Sequence, residues 1–289
     1  MPISTRIEQS LERAIAQAHG PGAPPRLAAA LRYAVFPGGH RIRPQLCIAV
    51  AKACGDADPE AASAAAAAIE LLHCASLVHD DLPCFDDAAI RRGKPSVHVE
   101  FGAPLAVLTG DALIVMAFDV LARQVAHAPS RMGALISVIA RSVGAPHGIV
   151  AGQAWECEDR VSLSDYQRSK TGSLFVAATI AGAIAAGADG ENWGALGEKL
   201  GEAYQVADDL RDVLCDEAEL GKPIGQDAAH LRPNAALQIG LAGAKQRLEF
   251  LVRAAMDSIP DCPGSESLRK IIHAQTLQFF PKKLALAAA

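Results

Sequence analysis

The stretch His79-Asp80-Asp81-Leu82-Pro83-Cys84-Phe85-Asp86-Asp87, followed by Arg91-Arg92-Gly93-Lys94, decides how the rest of the chain is read. The run from Ala61 to Val78 before it is almost wholly helix-forming, so Asp80 and Asp81 fall in the last turn of a helix that Pro83 must end. A helix C-terminus already carries partial negative charge, and two carboxylates there, with two more just beyond, repel the dipole and one another. Arg91 and Arg92 offset part of this charge, and a hard divalent cation offsets it better. Mg2+ takes one or two protein carboxylates and completes its shell with water and phosphate oxygens.

A second acidic cluster, Tyr204-Gln205-Val206-Ala207-Asp208-Asp209-Leu210-Arg211-Asp212, lies near the end of another helical stretch. Asp208 and Asp212 are four apart, so they stack on one helix face within bridging distance of a metal. Around these clusters the composition is that of an all-α protein. Apolar residues make up 51% of the 289, alanine above all, and no run alternates with the period of two that marks a half-buried strand. With no internal repeat or linker, residues 1–289 are expected to form one domain of roughly ten helices.

A net charge of -5 without a basic stripe argues against nucleic acid as a partner. The seven scattered cysteines contain no Cys-x-x-Cys pair and point to a reducing, cytoplasmic setting. Met1 to Ala18 reads as an amphipathic helix, with Ile3, Ile7, Leu11 and Ile15 among charged residues, rather than as a signal peptide. Ala61 to Val78 is interrupted by Glu70 and His73, and Phe175 to Ala188 is short, so no membrane span is expected. Ala103 to Ala126 is apolar on nearly all sides and is expected inside the bundle.

Bases accompany the acids. Gly38-Gly39-His40-Arg41-Ile42-Arg43-Pro44 opens a helix, where free N–H groups and a forked guanidinium suit an anion. Lys170-Thr171-Gly172 enters a buried helix, and Leu220-Gly221-Lys222-Pro223-Ile224-Gly225-Gln226-Asp227 reads as a flap over a polar site. Taken alone, His73 reads as a hydrogen-bonded core histidine. Two metal-binding clusters flanked by Arg43, Arg91, Arg92, Lys170 and Lys222 suit a diphosphate that departs while its carbon skeleton becomes a cation. Such a cation needs a dry cavity, which Ala, Leu and Val supply.

These strings closely resemble, in order and spacing over nearly the whole chain, the motifs of the trans-isoprenyl diphosphate synthases. The resemblance implies an isoprenoid synthase fold, usually homodimeric, that condenses isopentenyl diphosphate head-to-tail with an allylic diphosphate using Mg2+. It implies that Asp80, Asp81, Asp86, Asp208, Asp209 and Asp212 hold the metals. Arg91, Lys170, Thr171, Gln205 and Lys222 would contact the allylic substrate, and His40, Arg43, His73 and Arg92 would hold isopentenyl diphosphate. The chain departs from the family at His40 and Gln226, which stand where lysine is usual, and at Leu231 and Arg232, which replace a Gly-Lys pair. His40 contributes charge only when protonated.

Product length is read from the small residues below the first motif. Ser76 lies one turn, roughly 6 Å, below Asp80. Ala75 is beside it and Leu72 is a turn further down. Members that stop at fifteen carbons often have an aromatic residue at the position of Ala75. With the Pro83-Cys84 insertion, this resembles the bacterial geranylgeranyl diphosphate synthases that serve carotenoid and photosynthetic pigment pathways, so a twenty-carbon product is expected. The competing readings are a farnesyl diphosphate synthase and a non-catalytic partner of an active synthase. A terpene cyclase would mix Asn, Ser and Glu in the second motif, which Asp208-Asp209-Leu210-Arg211-Asp212 does not.

Overall fold

The computed structural model describes residues 1–36, 38–158, 165–166, 168–214, 234–277 and 279. It is all-α, as the composition dictates. In chain order the helices are α1 (Ile3–Ala16), α2 (Pro25–Val35), α3 (Ile42–Ala53), α4 (Pro59–Asp80), α5 (Val97–Phe101), α6 (Ala103–Gln124), α7 (Pro129–Val143), α8 (Ile149–Ala154), α9 (Ser173–Ala185), α10 (Gly194–Leu214), α11 (Ala235–Asp257) and α12 (Ser265–Leu277). The flap at 220–227, with Lys222 and Gln226, and the positions 231 and 232 lie outside the described residues.

At the centre is α4. Asp58 caps it by accepting from the Ala61 N–H at 3.0 Å, and Pro59 supplies the preset first residue. The run Ala64 to Ala68 is fully buried, because side chains this small let α1, α3, α6 and α9 close around the helix. Asp58 also ties α4 to the α6–α7 connection, accepting from His127 Nε2 at 2.7 Å and Arg131 at 2.6 Å. Burial alone would raise its carboxyl, but the Ala61 N–H, His127 and Arg131 outweigh that and hold it below the ordinary 3.8. A depressed carboxyl contributes stability that is present above the unfolded value and lost as pH falls through the folded one. Asp58→Ala is therefore expected to cost about 1–2 kcal/mol at neutral pH. Thermal melts should show the gap between the two proteins shrinking below about pH 4.

Both α4 and α6 are long and apolar enough to cross a membrane, but 83% of the apolar window of α4 is buried against other helices. The expectation that α6 would be enclosed on nearly all sides is corrected by the structure, where only 39% of its window is buried. Val107, Leu108 and Val115 form an exposed apolar stripe at helical spacing along it. The opposite face, through Thr109, Leu113, Ala117 and Val120, is spent on the core.

A short antiparallel hairpin, β1 (Ile90–Arg91) and β2 (Lys94–Pro95), follows the first acidic motif. Arg92 and Gly93 both adopt left-handed backbone (φ 54° and 76°), the combination that a two-residue hairpin turn needs and that glycine supplies without strain. Lys94 Nζ donates to the carbonyls of Tyr33 (3.0 Å) and Phe36 (2.9 Å), and Tyr33 donates to the Pro95 carbonyl at 2.8 Å. The hairpin is thus pinned to the end of α2, with Arg92 against Gly39.

Candidate active site

The acids at the end of α4 separate into two roles. Asp80 is the last helical residue and Asp81 the capping one, and the chain then folds back so that the Asp86 N–H donates to the Asp80 carbonyl at 3.0 Å. Asp81 is buried, and its carboxylate accepts from Arg91 Nε at 2.9 Å and from the terminal guanidinium nitrogen as well. Burial pushes the Asp81 carboxyl up, against the pull of Arg91. Asp80 and Asp86 turn the other way and meet Glu156, with one oxygen of each of the three within 4.8 Å of the others.

Glu156 comes from a tightened turn, Trp155–Cys157, that ends α8. The helix itself is short, six residues from Ile149 to Ala154. It brings Glu156 to the site because Gly152 lets α8 touch the backbone of Lys170, where a Cβ would lie 2.4 Å from the Lys170 nitrogen. Lys170 itself lies in a π-helical turn, Arg168–Gly172, that widens the entry to α9. Its ammonium is 3.2 Å from Asp80 Oδ1 and 2.7 Å from Glu156 Oε1. Lys170 therefore pairs with the acids of the site instead of reaching for solvent. A cation among three gathered carboxylates shows that the donor set accepts positive charge, and these all-oxygen donors suit a hard ion such as Mg2+.

On α10, Asp208 and Asp212 share a half-buried face, as their spacing requires, while Asp209 points into the protein. Asp209 accepts from Gln205 Nε2 at 2.9 Å and from the Ala235 N–H at 2.8 Å, so it fastens the start of α11 to α10. Gln205 in turn accepts from the Thr171 hydroxyl at 2.9 Å. Asp81 and Asp209, expected among the metal ligands, thus have protein partners here, and among the described residues the gathered trio is Asp80, Asp86 and Glu156.

The basic side of the site is built on α3 and α4. Arg41 occupies the left-handed capping position of α3 (φ 51°), with its guanidinium donating to Glu70 at 2.7 Å, Glu8 at 2.9 Å and the Val35 carbonyl at 2.8 Å. That anchor fixes the flanking residues. Arg43 is stacked over Phe175 and Tyr204, with Cζ 4.7 Å and 5.5 Å from the ring centroids, and its buried Nε has no hydrogen-bond partner. Burial pulls Arg43 below its ordinary value. Burial first, then Arg43, Arg92, Arg91 and Arg41, hold His73 well below 6.5, so it is neutral near pH 7 and donates only one N–H. Arg92 lies against Gly39, where a Cβ would be 3.1 Å from its guanidinium. His40 is exposed at the rim. Arg43 and Arg92, with the neutral His73 beside them, form a cationic group in which neither arginine is ion-paired to a carboxylate among the described residues, and Arg91, the neighbour of Arg92, is bonded to Asp81 on the acidic side.

Ala75 and Leu72 are each 1% exposed in the main core, and Ser76 is half-buried with its hydroxyl donating to the His73 carbonyl at 2.8 Å. Glu156 was not singled out by the sequence reading. The signal was present in Glu156-Cys157-Glu158, acids closing an apolar helical stretch as Asp80 and Asp81 do.

The polyprenyl synthetase family matches residues 24–262. The chain is 55% identical over 285 residues to the geranylgeranyl diphosphate synthase of Cereibacter sphaeroides, covering 99% of each protein. It is 51% identical over 284 residues to that of Rhodobacter capsulatus, covering 98% of this chain and 96% of the relative. Its fold is similar to that of a geranyltransferase from Helicobacter pylori solved with magnesium and isoprenyl diphosphate. That similarity has a TM-score of 0.79 at 28% identity and covers 96% of this chain and 98% of that one.

Proposed function

The chain belongs to the polyprenyl synthetase family, and from that premise we propose how its site performs head-to-tail prenyl transfer, condensing isopentenyl diphosphate with allylic diphosphates to geranylgeranyl diphosphate. The observation that carries the reading is the pairing of two unlike anion sites. One is an acidic trio already holding an ammonium, which would reach a diphosphate through a cation, and the other is the pair Arg43 and Arg92 with the neutral His73, which would reach one directly. The allylic diphosphate leaves, and the isopentenyl diphosphate does not. Only the first needs developing charge to be neutralised, and the second needs holding alone.

In this reading Asp80, Asp86 and Glu156 would hold Mg2+, and Asp208 and Asp212 would provide a second set of carboxylates for it. Bound magnesium supplies the positive charge that stabilises the departing diphosphate. Lys170 turns its ammonium to the diphosphate oxygens, and Arg91, held by Asp81, adds a directed donor. Thr171 and Asp209 fix the amide of Gln205, whose dipole faces the developing cation. Arg43 and Arg92 hold the isopentenyl diphosphate, with His73 as a neutral donor beside them and His40 at the entrance. Lys222 contributes to the allylic side on the strength of its motif. The alanine-rich walls of α4 and α9 exclude water and offer no nucleophile to the cation. The test is release of inorganic diphosphate, which should require both substrates and Mg2+ together. Release from the allylic substrate alone would favour simple hydrolysis.

The exposed stripe Val107, Leu108 and Val115 supports a homodimer that buries α6 against its copy. Val115→Glu is expected to shift the protein to monomer in sedimentation velocity, and an unchanged dimer would place the interface elsewhere. The free cysteines described, Cys47, Cys54, Cys74, Cys84, Cys157 and Cys262, support work in the cytoplasm. A destination in carotenoid and photosynthetic pigment synthesis rests on the resemblance of the first motif alone.

A further inference from the structure

Glu156 is held from outside the acidic trio. The Tyr166 hydroxyl donates to Glu156 Oε1 at 2.6 Å, the same oxygen that accepts from Lys170 Nζ at 2.7 Å. The Tyr166 ring also lies under that ammonium, 5.7 Å from centroid to Nζ, and Gln153 donates to the other carboxylate oxygen at 3.1 Å. Glutamate has three side-chain torsions and reaches the trio from a turn at the end of a short helix, so its oxygen arrives there only in a restrained rotamer. Lys170 cannot provide that restraint throughout the reaction, because the same ammonium is needed by the diphosphate.

We propose that Tyr166 is a positioning residue for the cation site. Its hydroxyl keeps Glu156 aimed at Asp80 and Asp86 when Lys170 turns away to substrate. The inference rests on the reading of Asp80, Asp86 and Glu156 as the cation-holding trio. A tyrosine suits the task, since its ring is rigid, its hydroxyl is directional, and a bond to a charged acceptor is stronger than one to a neutral acceptor. A partner that orients a ligand in this way changes metal affinity without touching the metal.

The test is a double-mutant cycle read by Mn2+ binding in electron paramagnetic resonance, on the full chain with saturating inorganic diphosphate. Tyr166→Phe is expected to weaken Mn2+ binding by about tenfold. Glu156→Gln should weaken it at least as much, and the double variant should bind no worse than Glu156→Gln alone, because the tyrosine acts only through that carboxylate. Unchanged affinity in Tyr166→Phe, or additive losses in the double variant, would overturn the proposal. Asp80→Asn separates the two levels of the argument. If neither it nor Glu156→Gln alters Mn2+ binding, the cation-site reading itself fails.

Discussion

Asp80→Asn is expected to lower kcat by about a thousandfold or more, equivalent to roughly 4 kcal/mol of lost transition-state stabilisation. The substitution keeps the size of the side chain and removes its charge. Asp80 is the carboxylate that joins the trio, faces the Lys170 ammonium at 3.2 Å and ends the central helix α4, so no neighbour can take over its position. Because the charge acts on a diphosphate that becomes more negative as it departs, the loss should fall on kcat more than on KM for either substrate. Asp81→Asn offers a contrast. Its carboxylate is committed to Arg91, so its loss should misplace a donor and cost stability at a buried ion pair. Steady-state rates over a range of Mg2+ concentrations check both. A loss below tenfold in Asp80→Asn at saturating Mg2+ would remove this carboxylate from the chemistry.

Ala75→Phe is expected to change the product from twenty carbons to fifteen. Position 75 is five residues before Asp80, about 7.5 Å down the helix, and the family resemblance, in which an aromatic residue here goes with a fifteen-carbon product, makes it the residue to test. Ala75 is 1% exposed in the main core, so a phenyl ring there has to displace its neighbours. Overpacking also costs about 1–3 kcal/mol, so Ser76→Phe is the companion variant, on the half-buried neighbour with more room. Sizing of the radiolabelled alcohols after phosphatase treatment reads the outcome. A full-length product from both variants would show that the chain runs along another face.

What was legible in the sequence was what helical spacing and charge balance impose. Pro83 had to end α4, acids at that end had to find a cation, and Asp208 and Asp212 had to share a face. The spacing could not say which of two adjacent carboxylates turns to an arginine and which to the gathered acids Asp86 and Glu156. That choice is made by the hairpin that presents Arg91 to Asp81. The hairpin itself was invisible, since rungs of two residues are too short to show an alternating pattern. For α6, an all-round apolar composition fitted equally a helix buried on every side and one with an apolar face left exposed. Glu156 was missed because it and Glu158 are two apart, a spacing that does not put them on one helix face, and its meeting with Asp80 depends on a glycine contact between α8 and Lys170.

The most direct test of the account is product sizing from purified protein given Mg2+, labelled isopentenyl diphosphate and, in separate reactions, dimethylallyl, geranyl or farnesyl diphosphate. The expected result is a twenty-carbon product from each primer, abolished by chelation of the metal. Accumulation at fifteen carbons would contradict the reading of Ala75 and Ser76, and no turnover with any primer would contradict the catalytic reading of the whole site.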